Sequence, residues 1–239
     1  FLEGEEVSFI VISDGKNVLP LATSQDHKAR DDGDNGPNTG GMGAYSPAPI
    51  ACNAMQQRIL DEIIMPTIRG MASEDRTYTG FLYAGIMITN EGIPKVLEFN
   101  CRFGDPETQP IMMRLKSDLV LLCLASNSNT LTECCIEWEE RVALGVVTAS
   151  AGYPEAASKG DVINGLDFDF SSDVKVFHAG TSKENGKIVT AGGRVLCITS
   201  LGKTVTDAKK STYDAIKNID YDGMFYRNDI GDRAIKRES

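Results

Sequence analysis

Residues 7–12 and 18–22 are runs of apolar and β-branched side chains, and Asp14-Gly15 between them is a hairpin signal, so two paired strands are expected. The period then changes. Met55, Ile59 and Ile63 recur at helical spacing. They predict a helix from about Asn53, as its cap, to about Met65, with Pro66 kinking it or opening a second helix that reaches Met71. Two strands are expected over 81–89 and 94–99, around the turn Asn90-Glu91-Gly92. A buried or amphipathic helix is expected over 110–126, through Ile111, Leu115, Leu119 and Leu122. A polar stretch at 127–132 marks a candidate boundary. Beyond it, strands are expected over 143–149, 174–179, 188–190 and 195–200, with Gly186 and Gly192-Gly193 as turns, and a helix over 206–219. Residues 23–50 follow neither period. They are polar, rich in glycine and punctuated by proline, and read as one long loop, which in a compact domain is usually functional.

The chain has 239 residues, enough for one or two domains with a proper core. The pattern predicts an α+β fold divided into residues 1–135 and a smaller α+β unit, 136–239. No apolar run approaches the ~18 residues of a membrane span, and no secretory signal is read at the start. Net charge is −10, whereas a nucleic-acid binder is normally basic, so neither a nucleic-acid nor a membrane partner is expected. Six cysteines show no metal spacing. Cys101, Cys123 and Cys197 lie in apolar segments and are expected as buried thiols in a reducing cytoplasm.

The chemistry concentrates in Val96-Leu97-Glu98-Phe99-Asn100-Cys101-Arg102-Phe103-Gly104-Asp105-Pro106-Glu107. Side chains alternate along a strand, so Glu98, Asn100 and Arg102 are expected on one face at the end of a buried strand, opposite Leu97 and Phe99. A carboxylate and a carbonyl oxygen two residues apart suit Mg²⁺, and a guanidinium beside them can clamp a phosphate or carboxylate. A solvated strand end is the plainer reading. Asp105 and Glu107 could orient Arg102, bind an amine or cap the next helix.

Gly36-Pro37-Asn38-Thr39-Gly40-Gly41-Met42-Gly43 could turn N–H groups toward an anion, or could be a flexible surface turn. It lacks the spacing of a P-loop or a dinucleotide fingerprint. Lys28 and Arg30 could meet a phosphate or form a solvated charge run. His27 and His178 are the two histidines, and neither is expected to do direct chemistry.

These two motifs, with Gly192-Gly193-Arg194-Val195-Leu196 and Asp229-Ile230-Gly231, resemble the glycinamide ribonucleotide synthetase family (phosphoribosylamine–glycine ligases) of the ATP-grasp superfamily, over essentially the whole chain. The resemblance implies the second half of an ATP-grasp fold, an antiparallel sheet with helices, followed by a small α+β C-terminal domain. It implies ligation of glycine to 5-phosphoribosylamine at the expense of ATP, through a glycyl phosphate, in purine biosynthesis. Glu98 and Asn100 would hold Mg²⁺ or Mn²⁺, with Glu98 also facing the nucleotide. Arg102 would be catalytic, steadying the transferring group, and Glu6 would meet the ribose of ATP. Lys28, Asn38, Thr39, Gly40, Gly41 and Asp105 would contact the other substrates, with the 36–43 loop closing over them to exclude water.

Family members carry a further N-terminal half that grips the phosphates. The chain is therefore expected to start inside a domain, to need that half as its partner, and to be inactive alone. The alternatives are another purine ATP-grasp ligase, which the 36–43 loop and the 104–109 run argue against, and a non-catalytic nucleotide-binding module.

Overall fold

A computed structural model describes residues 2–238. In chain order its strands and helices begin with β1 (Gly4–Asp14), β2 (Val18–Pro20), β3 (Gln25–Asp26), β4 (Ala29–Asp31), β5 (Asn35–Asn38) and β6 (Gly43–Ser46). There follow α1 (Asn53–Ile59), α2 (Met65–Ser73), β7 (Thr79–Thr89), β8 (Pro94–Asn100), α3 (Thr108–Arg114) and α4 (Leu119–Ser128). The remainder is β9 (Val142–Ala149), β10 (Val174–His178), β11 (Thr181–Glu184), β12 (Lys187–Thr190), β13 (Arg194–Gly202), α5 (Val205–Ile216) and α6 (Asp232–Glu238). Two compact units form. One takes the chain up to Gln25, Pro47–Gly104 and Leu115–Glu139, and the other takes Asp26–Ser46, Asp105–Arg114 and the chain from Glu140 onward. The units interleave along the chain, whereas a cut after residue 135 follows sequence texture.

The first unit is a four-stranded antiparallel sheet in the order β2-β1-β7-β8. The β1–β2 hairpin turns where expected: Gly15 sits at φ +94°, and the Asp14 carboxylate accepts the N–H groups of Lys16 and Asn17. Val7, Phe9, Val11, Leu82, Ala84 and Ile86 form the face that packs on Ile59, Ile63, Ile64 and Ile68 of the helical layer. Asn53 is the first helical residue and Cys52 the cap, so the expected Asn53 cap is corrected. Leu60–Ile64 forms a π-turn just before Pro66, which cannot donate the bond a straight helix needs there. The opposite sheet face is covered at one end by α4, where Ile12 and Phe81 meet Leu122, Ala125 and Leu131.

The single helix expected over 110–126 is two helices. Leu115 bridges to Trp138 in extended form, and Asp118 then caps α4 by accepting the Val120 N–H. Polar Lys116, Ser117 and Asp118 interrupt the apolar repeat, and an Asp is a stronger start signal than the repeat is a continuity signal.

The second unit is a five-stranded sheet in the order β10-β13-β9-β6-β3. Leu144, Val146, Leu196 and Ile198 face α5 and pack on Val205, Ala208, Ala215 and Ile216. Gly145, Cys197 and Thr199 lie together on the opposite face, beside Pro110 of α3. The long loop expected over 23–50 is replaced by four short strands. Within it β6 is buried along its length, paired with β9, and Gly43 lies so near the Gly145 carbonyl that a Cβ would stand 2.6 Å from it. Glycine-rich strands of four residues or fewer carry no alternation to read, which is why periodicity missed them.

All six cysteines are free thiols. Cys197 is buried as expected, and burial pushes its thiol up to about 12. Cys101 is exposed beyond the end of β8 and Cys123 is half-covered on α4, which corrects the expectation that both are buried. Among the described residues no helix is long and apolar enough to cross a membrane.

Candidate functional site

The expected site residues fall into two groups, one in each unit. In the first unit, Glu98 stands opposite Gly85 and Asn100 opposite Tyr83, with the register unbroken between them. Residues two apart in an unbroken ladder share a face, so these two side chains point the same way. Ser8 also pairs with Gly85, Glu6 with Met87 and Ile10 with Tyr83, which places Glu6 and Ser8 on that face as well. A Cβ added to Gly85 would lie 3.1 Å from the Glu98 side chain and 3.3 Å from a Glu6 carboxylate oxygen, so the two acids flank the glycine. The Ser8 and Tyr83 hydroxyls meet at 3.1 Å beside them.

The strand that carries Glu98 and Asn100 is not buried, contrary to expectation. β8 is the last strand of its sheet, and Val96, Leu97 and Phe99 are each about 40% exposed. The register slips between Gly85 and Ile86, so Leu97 is an extra residue. The bulge reverses the alternation that precedes it and puts Val96 on the face opposite Glu98. Arg102 lies past the strand end, exposed, and its guanidinium donates to the Phe103 carbonyl at 2.8 Å.

Glu98 and Asn100 offer one carboxylate and one amide oxygen, both hard donors. Among the described residues no three His, Cys, Asp or Glu side chains converge as a metal cage. Such a donor pair fits Mg²⁺ in its usual manner, with few protein ligands and the remainder of the shell left to water and phosphate oxygens.

In the second unit the glycine loop is tied down. The Thr39 N–H goes to the Lys28 carbonyl, Gly40 N–H to the Tyr153 hydroxyl, Gly41 N–H to the Thr39 hydroxyl and Met42 N–H to the His27 carbonyl. The N–H groups of residues 39–42 are therefore bonded within the protein and do not turn toward an anion. Asn38 is exposed at the end of β5. Lys28 is half-buried, and its carbonyl also accepts the Thr39 hydroxyl. Arg30 closes a fork-like pair on its neighbour Asp31. The Asp105 carboxylate accepts Arg194 at 2.7 Å. Glu107 is buried, and its backbone carbonyl receives the Ile111 N–H in the first turn of α3.

His27 is buried edge-on to Tyr45, its Nδ1 3.3 Å from the Gly43 carbonyl. A carbonyl only accepts, so Nδ1 carries the proton. Burial, with the positive charges of Arg227 and Arg233, brings the imidazole down to about 4, which keeps it neutral at pH 7 and supports a structural role.

Sequence reasoning missed Arg227, Tyr153 and Arg194. The Arg227 guanidinium is 1% exposed and donates to the Ala29 carbonyl, Asp34 and Asp229. Burial opposes ionisation of Asp229, but the bonds from Arg227 and the Gly33 N–H prevail and hold its carboxyl well below the usual range. The Gly192-Gly193-Arg194 run was a signal for Arg194. Nothing near Arg227 in sequence marks it as buried.

Two family models match the chain: the phosphoribosylglycinamide synthetase ATP-grasp (A) domain over residues 1–108 and the C domain of the same enzyme over residues 143–233. The chain belongs to the phosphoribosylglycinamide synthetase family. It is 60% identical over 238 residues to a phosphoribosylamine–glycine ligase of Vibrio parahaemolyticus, and 60% identical over 239 residues to that of Salmonella typhimurium. Each match takes in all of this chain and 56% of the relative, so the chain spans just over half the length of these curated relatives. The crystal structure of phosphoribosylamine–glycine ligase from Thermotoga maritima superposes with a TM-score of 0.86 at 35% identity, covering 96% of this chain and 56% of that one.

Proposed function

We propose that the chain supplies the metal-holding strand and part of the substrate-binding surface of a cytoplasmic, ATP-dependent ligase that joins glycine to 5-phosphoribosylamine. Residues 1–135 belong to its ATP-grasp portion and 136–239 to a C-terminal domain. The terminal phosphoryl group of ATP passes to a glycine carboxylate oxygen, giving glycyl phosphate and ADP. The amine of phosphoribosylamine then attacks the acyl carbon, loses a proton, and expels phosphate to leave glycinamide ribonucleotide. The observation that carries this reading is the shared face of Glu98 and Asn100, with Glu6 across Gly85.

Glu98 and Asn100 would hold Mg²⁺ or Mn²⁺, which neutralises phosphate charge when bound. Arg102, exposed past the strand end, has a planar fork suited to the transferring group. Glu6 accepts from the ribose hydroxyls. Lys28, Asn38, Thr39, Gly40, Gly41 and Asp105 serve the remaining substrates. The 60% identity to named ligases favours this over a non-catalytic module.

The test places these 239 residues in the Salmonella relative in exchange for the stretch they match, and follows ADP release with phosphoribosylamine generated in situ. ADP release that needs both glycine and phosphoribosylamine is expected, and Glu98→Gln should lower it by roughly 10²-fold or more. Release that ignores glycine, or none under conditions where the parent relative turns over, would overturn the reading.

A further inference from the structure

Three stretches far apart in sequence meet inside the second unit, and one side chain joins them. Arg194 opens β13, where the frame around it is fixed. Its own carbonyl accepts the Gly180 N–H, and the Gly193 carbonyl accepts the Ser150 N–H. From that base the guanidinium reaches the Gly40 carbonyl at 2.5 Å, the Gly41 carbonyl at 3.3 Å, the Asp105 carbonyl at 2.9 Å and the Asp105 carboxylate at 2.7 Å. Tyr153 grips the same turn from its other side, its hydroxyl accepting the Gly40 N–H at 3.0 Å.

The glycines serve this grip. A Cβ on Gly40 would lie 2.8 Å from the Arg194 guanidinium carbon, one on Gly41 2.4 Å from Pro106, and one on Gly193 2.2 Å from the Tyr153 ring. Gly41 also sits at φ +111°, a backbone that side chains disfavour. The absence of side chains here permits close packing. It does not leave a slack loop.

We propose that Arg194 is a positioning residue: with Tyr153 as a second jaw, it locks the Gly40–Gly41 turn against Asp105, so that the surface offered to the amine and amino-acid substrates is preformed and is not a lid that closes over them. The link to those substrates rests on the proposed ligase function. The lock itself does not. A planar, multi-donor guanidinium can serve several carbonyls and a carboxylate together, whereas a lysine is a single point charge. This is why the conservative replacement should restore only part of the lock.

Hydrogen exchange on the full chain tests the lock. Arg194→Ala should speed exchange at least tenfold in peptides covering 36–43 and 104–109, while peptides from β9 and β13 stay within twofold. Arg194→Lys should fall between, and Tyr153→Phe should affect only the 36–43 peptide. Unchanged exchange in Arg194→Ala, or equal acceleration through β9 and β13, would overturn the lock, the second outcome marking a general structural role. In the Salmonella exchange protein, Arg194→Lys should raise KM for glycine or phosphoribosylamine about 5- to 20-fold, with KM for ATP and kcat within twofold. Unchanged KM values alongside a loosened loop would sink the substrate assignment. Failure of the ligase reading itself would show separately, as an unsubstituted protein with no glycine-dependent ADP release and an intact exchange difference.

Discussion

The polar face of the first unit and the glycine loop of the second are both candidate binding surfaces, yet they are built by different means. On the first, Glu6, Glu98 and Asn100 are aimed by ladder register, and backbone bonds between strands hold them in place. On the second, two guanidiniums from late in the chain do the holding. Arg194 ties Gly40–Gly41 to Asp105, and Arg227 ties the β4–β5 hairpin to Asp229. A surface set by register tolerates changes to individual side chains. A surface held by two guanidiniums depends on those two cations.

The sharpest way to break this comparison is Arg227→Met. It leaves Asp229 without its cation and Asp34 with Arg233 alone, and the full chain should lose about 3–5 kcal/mol of unfolding free energy in denaturant titration. A loss under 1 kcal/mol would show that the second unit does not depend on it. Gly193→Ala comes next. The new Cβ would strike the Tyr153 ring, and displacement of that ring should cost about 1–3 kcal/mol and raise exchange at Gly40.

His27 gives a pH signature of the second unit. Its folded value is about 4 against an ordinary 6.5. The unfolded chain therefore binds the extra proton between those values, and stability present above pH 6.5 is lost as pH falls toward 4, then stays level. At pH 5 the loss is roughly 2 kcal/mol. His27→Gln should flatten stability across that window, which paired denaturant titrations at pH 5 and pH 7 would reveal. Gly85→Ala is the mildest change and addresses the first unit. The extra methyl crowds Glu98 and Glu6, while Ala also stiffens the unfolded chain, so stability should move by less than about 1 kcal/mol. On the proposed metal-holding role of Glu98, Mn²⁺ affinity measured by electron paramagnetic resonance should weaken nonetheless, since the acids that flank residue 85 are pushed apart.

The first unit was largely legible in the sequence. Asp14-Gly15 and Asn90-Glu91-Gly92 marked its turns, Met55, Ile59 and Ile63 its helix, and the spacing of Glu98 and Asn100 their common face. These signals are local, and periodicity reports them directly. The exposure of β8 and its bulge at Leu97 were not legible, because an edge position depends on which strands lie alongside. Within 23–50 the composition showed special backbone geometry but not its use. The same glycines serve an open anion cradle or a tightly packed turn, and only the neighbours Arg194, Tyr153 and Pro106 distinguish the two.

The sequence by itself determined the elements of the first unit, the pairing of Glu98 with Asn100 and the resemblance to one ligase family, because each rests on residues adjacent or two to four apart. Only the tertiary structure decided that the glycine loop is fastened, that His27 stays neutral and that Arg194 and Arg227 matter. The bonds of Arg194 to Asp105 and Gly40 and of Arg227 to Ala29 span 89 to 198 positions of chain, which no local period encodes.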